Sequence, residues 1–276
     1  EEYNPDNVGK MVTILLKNRK LNTGNVTVTM TTCKRFDLFY RTVSSFLNCC
    51  TDLENIDEWI VVDDNSSMED KKNMIHSFPF IKFIFKSPED KGHPKSMNIV
   101  RDLVKTKYIF HIEDDWLFFR REPYISQCIK VLESNEKYGQ CLLNRLYGER
   151  ERCHDIFGGI MKYTKGIEGG GTEEGTRECI RYYEHEFYRD EELKKIVELH
   201  SNKKTCFYWP HYSLRVGMTK KSVYDTIGRF NESSKHFEMD YAYRYVEKYI
   251  TTYLDNIFCY HIGRCTFERD TDKLNA

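Results

Sequence analysis

The chain predicts an α/β fold, in which a mostly parallel, twisted sheet is flanked by helices within a single domain. Three observations carry this. Short apolar runs rich in β-branched and aromatic residues alternate with amphipathic stretches, the pattern of successive β-α-β units. The runs are apolar throughout, as in strands covered on both faces. Three of the first four end in polar or acidic clusters, and open α/β sheets bind ligands beyond the carboxyl ends of their strands.

The elements follow in order. Met11 to Leu16 reads as an edge strand or lead-in element, closed by the turn-like Asn22-Thr23-Gly24. Val26 to Met30 is a β-branched strand followed by the polar Thr31-Thr32-Cys33-Lys34-Arg35. Phe36, Leu38, Phe39, Val43, Phe46 and Leu47 fall on one face of a helix. Trp59 to Val62 is a second strand, stopped by Asp63-Asp64-Asn65-Ser66-Ser67, and a helix over 69–76 follows. Ile81 to Phe85 is a third strand, and a loop through Pro88 and Gly92 leads to a helix over 95–104. Tyr108 to Ile112 is a fourth strand and runs into Glu113-Asp114-Asp115-Trp116. Residues 147–183, rich in Gly, Glu and Arg, read as a long mobile loop, either plainly disordered or a substrate lid. A helix over 191–200, a strand-helix passage to Tyr249 and a strand over 257–260 before His261-Ile262-Gly263-Arg264 complete the chain.

Composition narrows the function classes. Hydrophobic residues make up 40% and charged residues 31% of the 276, enough for a sizeable core. A formal net charge of −1 leaves no electrostatic footprint for nucleic acid. No apolar run reaches the roughly 18 residues of a membrane span. None of the 10 cysteines forms a Cys-x-x-Cys pair, so buried thiols are expected rather than a zinc site. The sequon Asn65-Ser66-Ser67 sits at a strand end, where a glycan would block a ligand pocket. Both features favour a cytoplasmic setting over the secretory lumen.

The chemistry concentrates at two acidic turns. Glu113, Asp114 and Asp115 repel one another, and the repulsion is relieved by protonation or by a cation. Carboxylates are hard oxygen ligands suited to Mg²⁺ or Mn²⁺. A solvated turn or helix cap would use the same residues. Asp63 and Asp64 could hydrogen-bond a base or ribose, or merely build an Asx turn.

Four segments, Val26 to Thr32, Trp59 to Ser66, Gly92 to Asn98 and Phe110 to Asp115, occur in the order seen in GT-A (Rossmann-like) glycosyltransferases, and the chain resembles the family 2 type. The similarity covers residues 25–120 well and resumes more weakly from 208 to 263. Behind the lead-in over 1–24, it implies a nucleotide-sugar-binding half over 25–120 and an acceptor-binding half over 121–276. It places Thr31, Thr32, Arg35, Asp63 and Asp64 at the nucleotide. The Asp-x-Asp motif here reads Glu113-x-Asp115, with Asp114 between. Asp115 and the late His261 are then metal ligands, and Glu113 lies near the metal or the ribose. The usual Ala-Arg-Asn triplet is replaced by Ser96-Met97-Asn98, which leaves Lys95 and Arg264 as cations for the diphosphate.

Phe237 to Arg244 is similar to the family's Glu-Asp-x-Asp-Leu-x-x-Arg stretch. By that likeness Glu238 aligns with the general base of inverting members, and Asp240 is the second candidate. A base takes the acceptor proton, although a helix N-terminal acid would look the same. Trp209 stacks on a sugar or packs in the core. The expected activity is metal-dependent transfer from a UDP-hexose, such as UDP-glucose or UDP-galactose, with Mn²⁺ or Mg²⁺. The expected acceptor is a hydroxyl of a glycan or glycoprotein, hydroxylysine-linked in collagen-like relatives, and a homodimer is the candidate assembly. The competing readings are a nucleotidyltransferase and a non-catalytic carbohydrate-binding protein on the same fold.

Overall fold

The computed structural model describes residues 10, 12–17, 25–144, 159–164, 179–185 and 212–263. Trp209, Arg264 and the helix expected over 191–200 lie outside the described residues.

The first half is a run of β-α-β units. They are β1 (Val26–Thr32), α1 (Phe36–Cys49), β2 (Ile56–Asp63), α2 (Met68–Ser77), β3 (Lys82–Phe85), α3 (His93–Leu103) and β4 (Tyr108–Glu113). Then come β5 (Trp116–Phe118), α4 (Tyr124–Glu133), β6 (Tyr138–Leu142), β7 (Ile160–Tyr163) and β8 (Arg181–Glu184). The remaining elements are β9 (Gly217–Lys220), α5 (Lys221–Ile227), α6 (Phe237–Tyr245), β10 (Ile250–Leu254) and β11 (Cys259–His261).

Nine strands form one sheet in the order β3-β2-β1-β4-β9-β6-β10-β8-β7. All run in the same direction except β9 and β8. The order steps outward from β1 to β3 and then returns to place β4 beside β1. That reversal is the switch point at which such sheets open a crevice for ligands. The register pairs Thr31 with Glu113 and Thr32 with Asp63, so three strand ends reach one rank.

Burial on both faces explains the apolar strands. Along β2, Trp59 and Val61 enter one apolar layer with Phe39, Phe46, Phe110 and Tyr124, while Ile60 and Val62 enter the other with Met97, Val100, Tyr224 and Tyr245. In β1 the second face carries threonines instead, and Thr27 and Thr29 bond Thr106 and His111.

Two expectations change. The lead-in stretch is helical at 12–17 rather than a strand. Val12 and Leu15 reach the core at helical spacing. Of the expected loop over 147–183, residues 160–163 and 181–183 belong to paired strands added to the sheet, the second of which ends at Glu184; 147–158 and 165–178 lie outside the described residues. The last strand forms at Cys259–His261 and leaves the main sheet to pair with β5, setting His261 opposite Trp116. All seven cysteines among the described residues are free, and five are buried.

Candidate active site

The site lies at the carboxyl ends of β1, β2 and β4, closed by β11 and the start of α6. The two acidic turns differ in how their charges are met. Beyond β2, Asp63 is fully buried and accepts bonds from the Ser66 N–H at 3.0 Å and from the Ser66 hydroxyl. Asn65 takes the left-handed conformation at φ 66° that this turn requires. Asp64 points toward the loop after β3. It pairs with Lys86 Nζ at 2.9 Å and accepts the Gly92 N–H at 3.0 Å. Gly92 stands at φ 130°, a conformation that excludes side chains.

Beyond β4, Asp114 is buried and accepts from the Thr32 hydroxyl at 2.7 Å and from Arg35. Burial pushes its carboxyl up to about 6 although Arg35 opposes the shift. Asp115 Oδ2 is 3.0 Å from Arg35 and 3.2 Å from His261 Nε2. Burial alone would raise the Asp115 carboxyl, but the His261 bond and the Arg35 charge outweigh it and hold the group below its ordinary range. Its other oxygen, Oδ1, is buried with no hydrogen-bond partner. Glu113 receives the Trp116 indole N–H at 3.4 Å. Burial, then the charges of Asp115 and Glu238, push it up to about 8.

His261 arrives on β11, with its ring edge-on to Trp116 at 5.5 Å. The Ile262 N–H donates to the Asp115 carbonyl at 2.8 Å and locks the ribbon to the acidic turn. A Cβ at Gly263 would stand 2.7 Å from Asp115 Oδ2 and 2.8 Å from His261 Nε2, so only glycine leaves this cradle open.

At the start of α6, Glu238 accepts the Leu214 N–H at 2.8 Å. Its carboxyl is raised by burial, against the bonds from Leu214 and Ser213. Asp240 turns the other way, to Arg244 at 3.2 Å, and is 39% exposed. On one helix the two residues cannot share a face. Lys95 turns to the Glu89 carbonyl at 3.2 Å and toward Asp90. The geometry thus gathers Thr31, Thr32, Arg35, Asp64, Glu113, Asp114, Asp115, Glu238 and His261, and sets Lys95 and Asp240 apart.

Two residues at the site were not singled out from the sequence. Lys86 is 5% exposed and ties Asp64 to the Gly92 carbonyl. His93 sits 3.3 Å from the Thr31 hydroxyl and edge-on to Phe237 at 5.1 Å. Burial pushes its imidazole down to about 4, so it is neutral at pH 7. The only sequence signals were that Lys86 directly follows the third strand and that His93 directly follows Gly92.

The chain is similar to solved structures over most of its length. It matches the mannosyltransferase PcManGT from Pyrobaculum calidifontis, in complex with GDP-Man and Mn²⁺, at TM-score 0.54 and 12% identity, covering 93% of this chain and 66% of that one. It matches S. aureus TarS 1–349 at TM-score 0.52 and 12% identity, over 86% of this chain and 60% of that one. The chain has the GT-A fold. A longer S. aureus TarS gives the same TM-score of 0.52 at 11% identity, with 36% of it covered. The chain therefore spans about two thirds or less of the length of each of these GT-A structures. No family model and no curated protein matches the sequence. No helix among the described residues is long and apolar enough to cross a membrane.

The GT-A fold implies a divalent cation, and the residues fit one. Asp115 Oδ2 and His261 Nε2 are 3.2 Å apart, close to the roughly 3 Å between neighbouring ligands of an octahedral ion with 2.0–2.1 Å bonds. The partnerless Oδ1 and the open cradle at Gly263 add to the fit. Among the described residues no three His, Cys, Asp or Glu side chains converge on one point, so Asp115 and His261 are the pair that would hold the ion.

Proposed function

We propose that this chain is a nucleotide-sugar glycosyltransferase that uses a divalent cation, Mn²⁺ or Mg²⁺, held by Asp115 and His261. The observation that carries the reading is the Asp115–His261 pair at the switch point of a GT-A sheet, with a buried carboxylate oxygen that no protein group satisfies. The cation would neutralise the leaving diphosphate. Thr31, His93 and Asp64 line the strand ends where the nucleoside would lie. Glu113, with its raised carboxyl, can hydrogen-bond a ribose or sugar hydroxyl. The donor is a UDP-hexose such as UDP-glucose or UDP-galactose, and the acceptor is a hydroxyl of a glycan or glycoprotein. A cytoplasmic setting agrees with the free thiols.

In an inverting course the acceptor oxygen bonds to the anomeric carbon, the bond to the diphosphate oxygen breaks, and Glu238 takes the acceptor proton. Burial raises its affinity for that proton, and the Leu214 N–H fixes its orientation. The GDP-Man complex of PcManGT makes GDP-mannose the rival donor to screen. The test is release of nucleoside diphosphate from UDP-glucose, UDP-galactose and GDP-mannose, with and without Mn²⁺. Release from one donor is expected with Mn²⁺ and is lost on its removal. Equal release without Mn²⁺ by the native protein and by Asp115→Asn would overturn the reading.

A further inference from the structure

Arg35 occupies the N-cap position of α1 without a side-chain cap bond, and its side chain reaches the acidic turn after β4 instead. One guanidinium nitrogen is 3.0 Å from Asp115 Oδ2, and the other pairs with Asp114. The side chain is 13% exposed, and Nε is buried without a hydrogen-bond partner. Arg35 therefore claims the same carboxylate oxygen that stands 3.2 Å from His261, the oxygen that a cation between Asp115 and His261 would take. Two positive claimants on one oxygen repel strongly in a poorly screened interior.

We infer that Arg35 is a built-in counter-cation that competes with the divalent ion for Asp115 and is drawn off it by the donor's diphosphate. The inference rests on the glycosyltransferase reading of the site. Without ligand, the guanidinium offsets the repulsion among Glu113, Asp114 and Asp115. A diphosphate at the strand ends offers the paired oxygens that a guanidinium binds best. Asp114 is buried and keeps its hold on the other nitrogen, so the group needs only to pivot. The ion then replaces the charge that Asp115 loses. Metal and donor consequently load together, and Mn²⁺ alone binds weakly.

The test titrates Mn²⁺ against the full chain and reads the unbound ion by its electron paramagnetic resonance signal, alone and with UDP or GDP. Arg35→Gln is expected to bind Mn²⁺ alone about tenfold or more tightly than the native protein, within the usual range of coupling between sites. Nucleotide should then raise Mn²⁺ affinity less in the variant than in the native chain. Arg35→Lys carries a point charge that cannot span both carboxylates; it should fall between the two, and it serves as the test where the glutamine variant does not fold. Mn²⁺ binding by the variants equal to or weaker than native overturns the counter-cation and leaves the donor site standing. Failure of every protein to bind Mn²⁺, even with UDP or GDP, overturns the glycosyltransferase reading and this inference with it.

Discussion

The turns after β2 and β4 look alike in sequence, each setting adjacent carboxylates behind an apolar strand, yet they do different work. After β2 the charges are discharged locally. Asp63 is satisfied by Ser66, with Lys71 Nζ 4.0 Å away, and Asp64 holds Lys86 and Gly92. After β4 the account stays open. Asp114 is anchored by Thr32 and Arg35, but Asp115 keeps a bare buried oxygen and Glu113 is forced toward its protonated form. Natural folds rarely leave buried polar atoms unmet. The difference teaches that acidity at a strand end is a weak mark of a site, and that repulsion only partly compensated by the fold, with a carboxylate oxygen left bare, is a stronger one.

The largest effect should separate the two turns directly. Asp115→Asn is expected to lower turnover with donor and Mn²⁺ by about 10³-fold, the loss of several kcal/mol of charge stabilisation in the transition state. Asp63→Ala should register in stability. It leaves the buried Ser66 N–H and hydroxyl without their acceptor, at about 1–3 kcal/mol, read as a lower denaturant midpoint. Equal losses of turnover from the two substitutions would break the comparison.

The next effect sharpens the boundary of the open turn. Glu238 is close enough to raise the Glu113 carboxyl, so it belongs to the same uncompensated cluster, whereas Asp240 is matched by Arg244. Glu238→Gln keeps the acceptor for Leu214 N–H but cannot take a proton. It should lower kcat by about 10²-fold or more with little change in the donor KM. Asp240→Asn should change kcat far less; the reverse ranking would move the base to Asp240.

Much of this was legible in the sequence where structure is local. The units from β1 to β4 announce themselves because each strand and helix carries its own period, and the topology that joins them is nearly forced. The short strands were harder to read. Gly217–Lys220 is four residues, half of them polar, and becomes a strand only because β4 and β6 flank it. The partnership of β5 with β11 joins residues far apart in the chain and leaves no periodic trace. The site divides the same way. The cluster Glu113-Asp114-Asp115 was legible as a set of hard oxygen ligands, but the choice of Asp115 within it, and His261, came only through likeness to a known family. That Arg35 would cross to Asp115, or that Lys86 would be the cation on Asp64, depends on which strand end a long side chain reaches, and composition does not encode that.

The smallest effect tests whether the Ser67 end of the turn after β2 is a helix cap and nothing more. Ser67 is the N-cap of α2, and its hydroxyl accepts the Asp70 N–H at 3.0 Å on an exposed surface. Ser67→Ala removes that bond from the first helical turn, where the N–H has no other partner within the helix. The expected cost is about 1 kcal/mol, seen as a lower denaturant midpoint with an unchanged slope. Turnover should be retained, because the cap stands outside the Asp115–His261 cradle. A loss of turnover approaching that of Asp115→Asn would mean that the site extends past Asp64 to the capped end of α2.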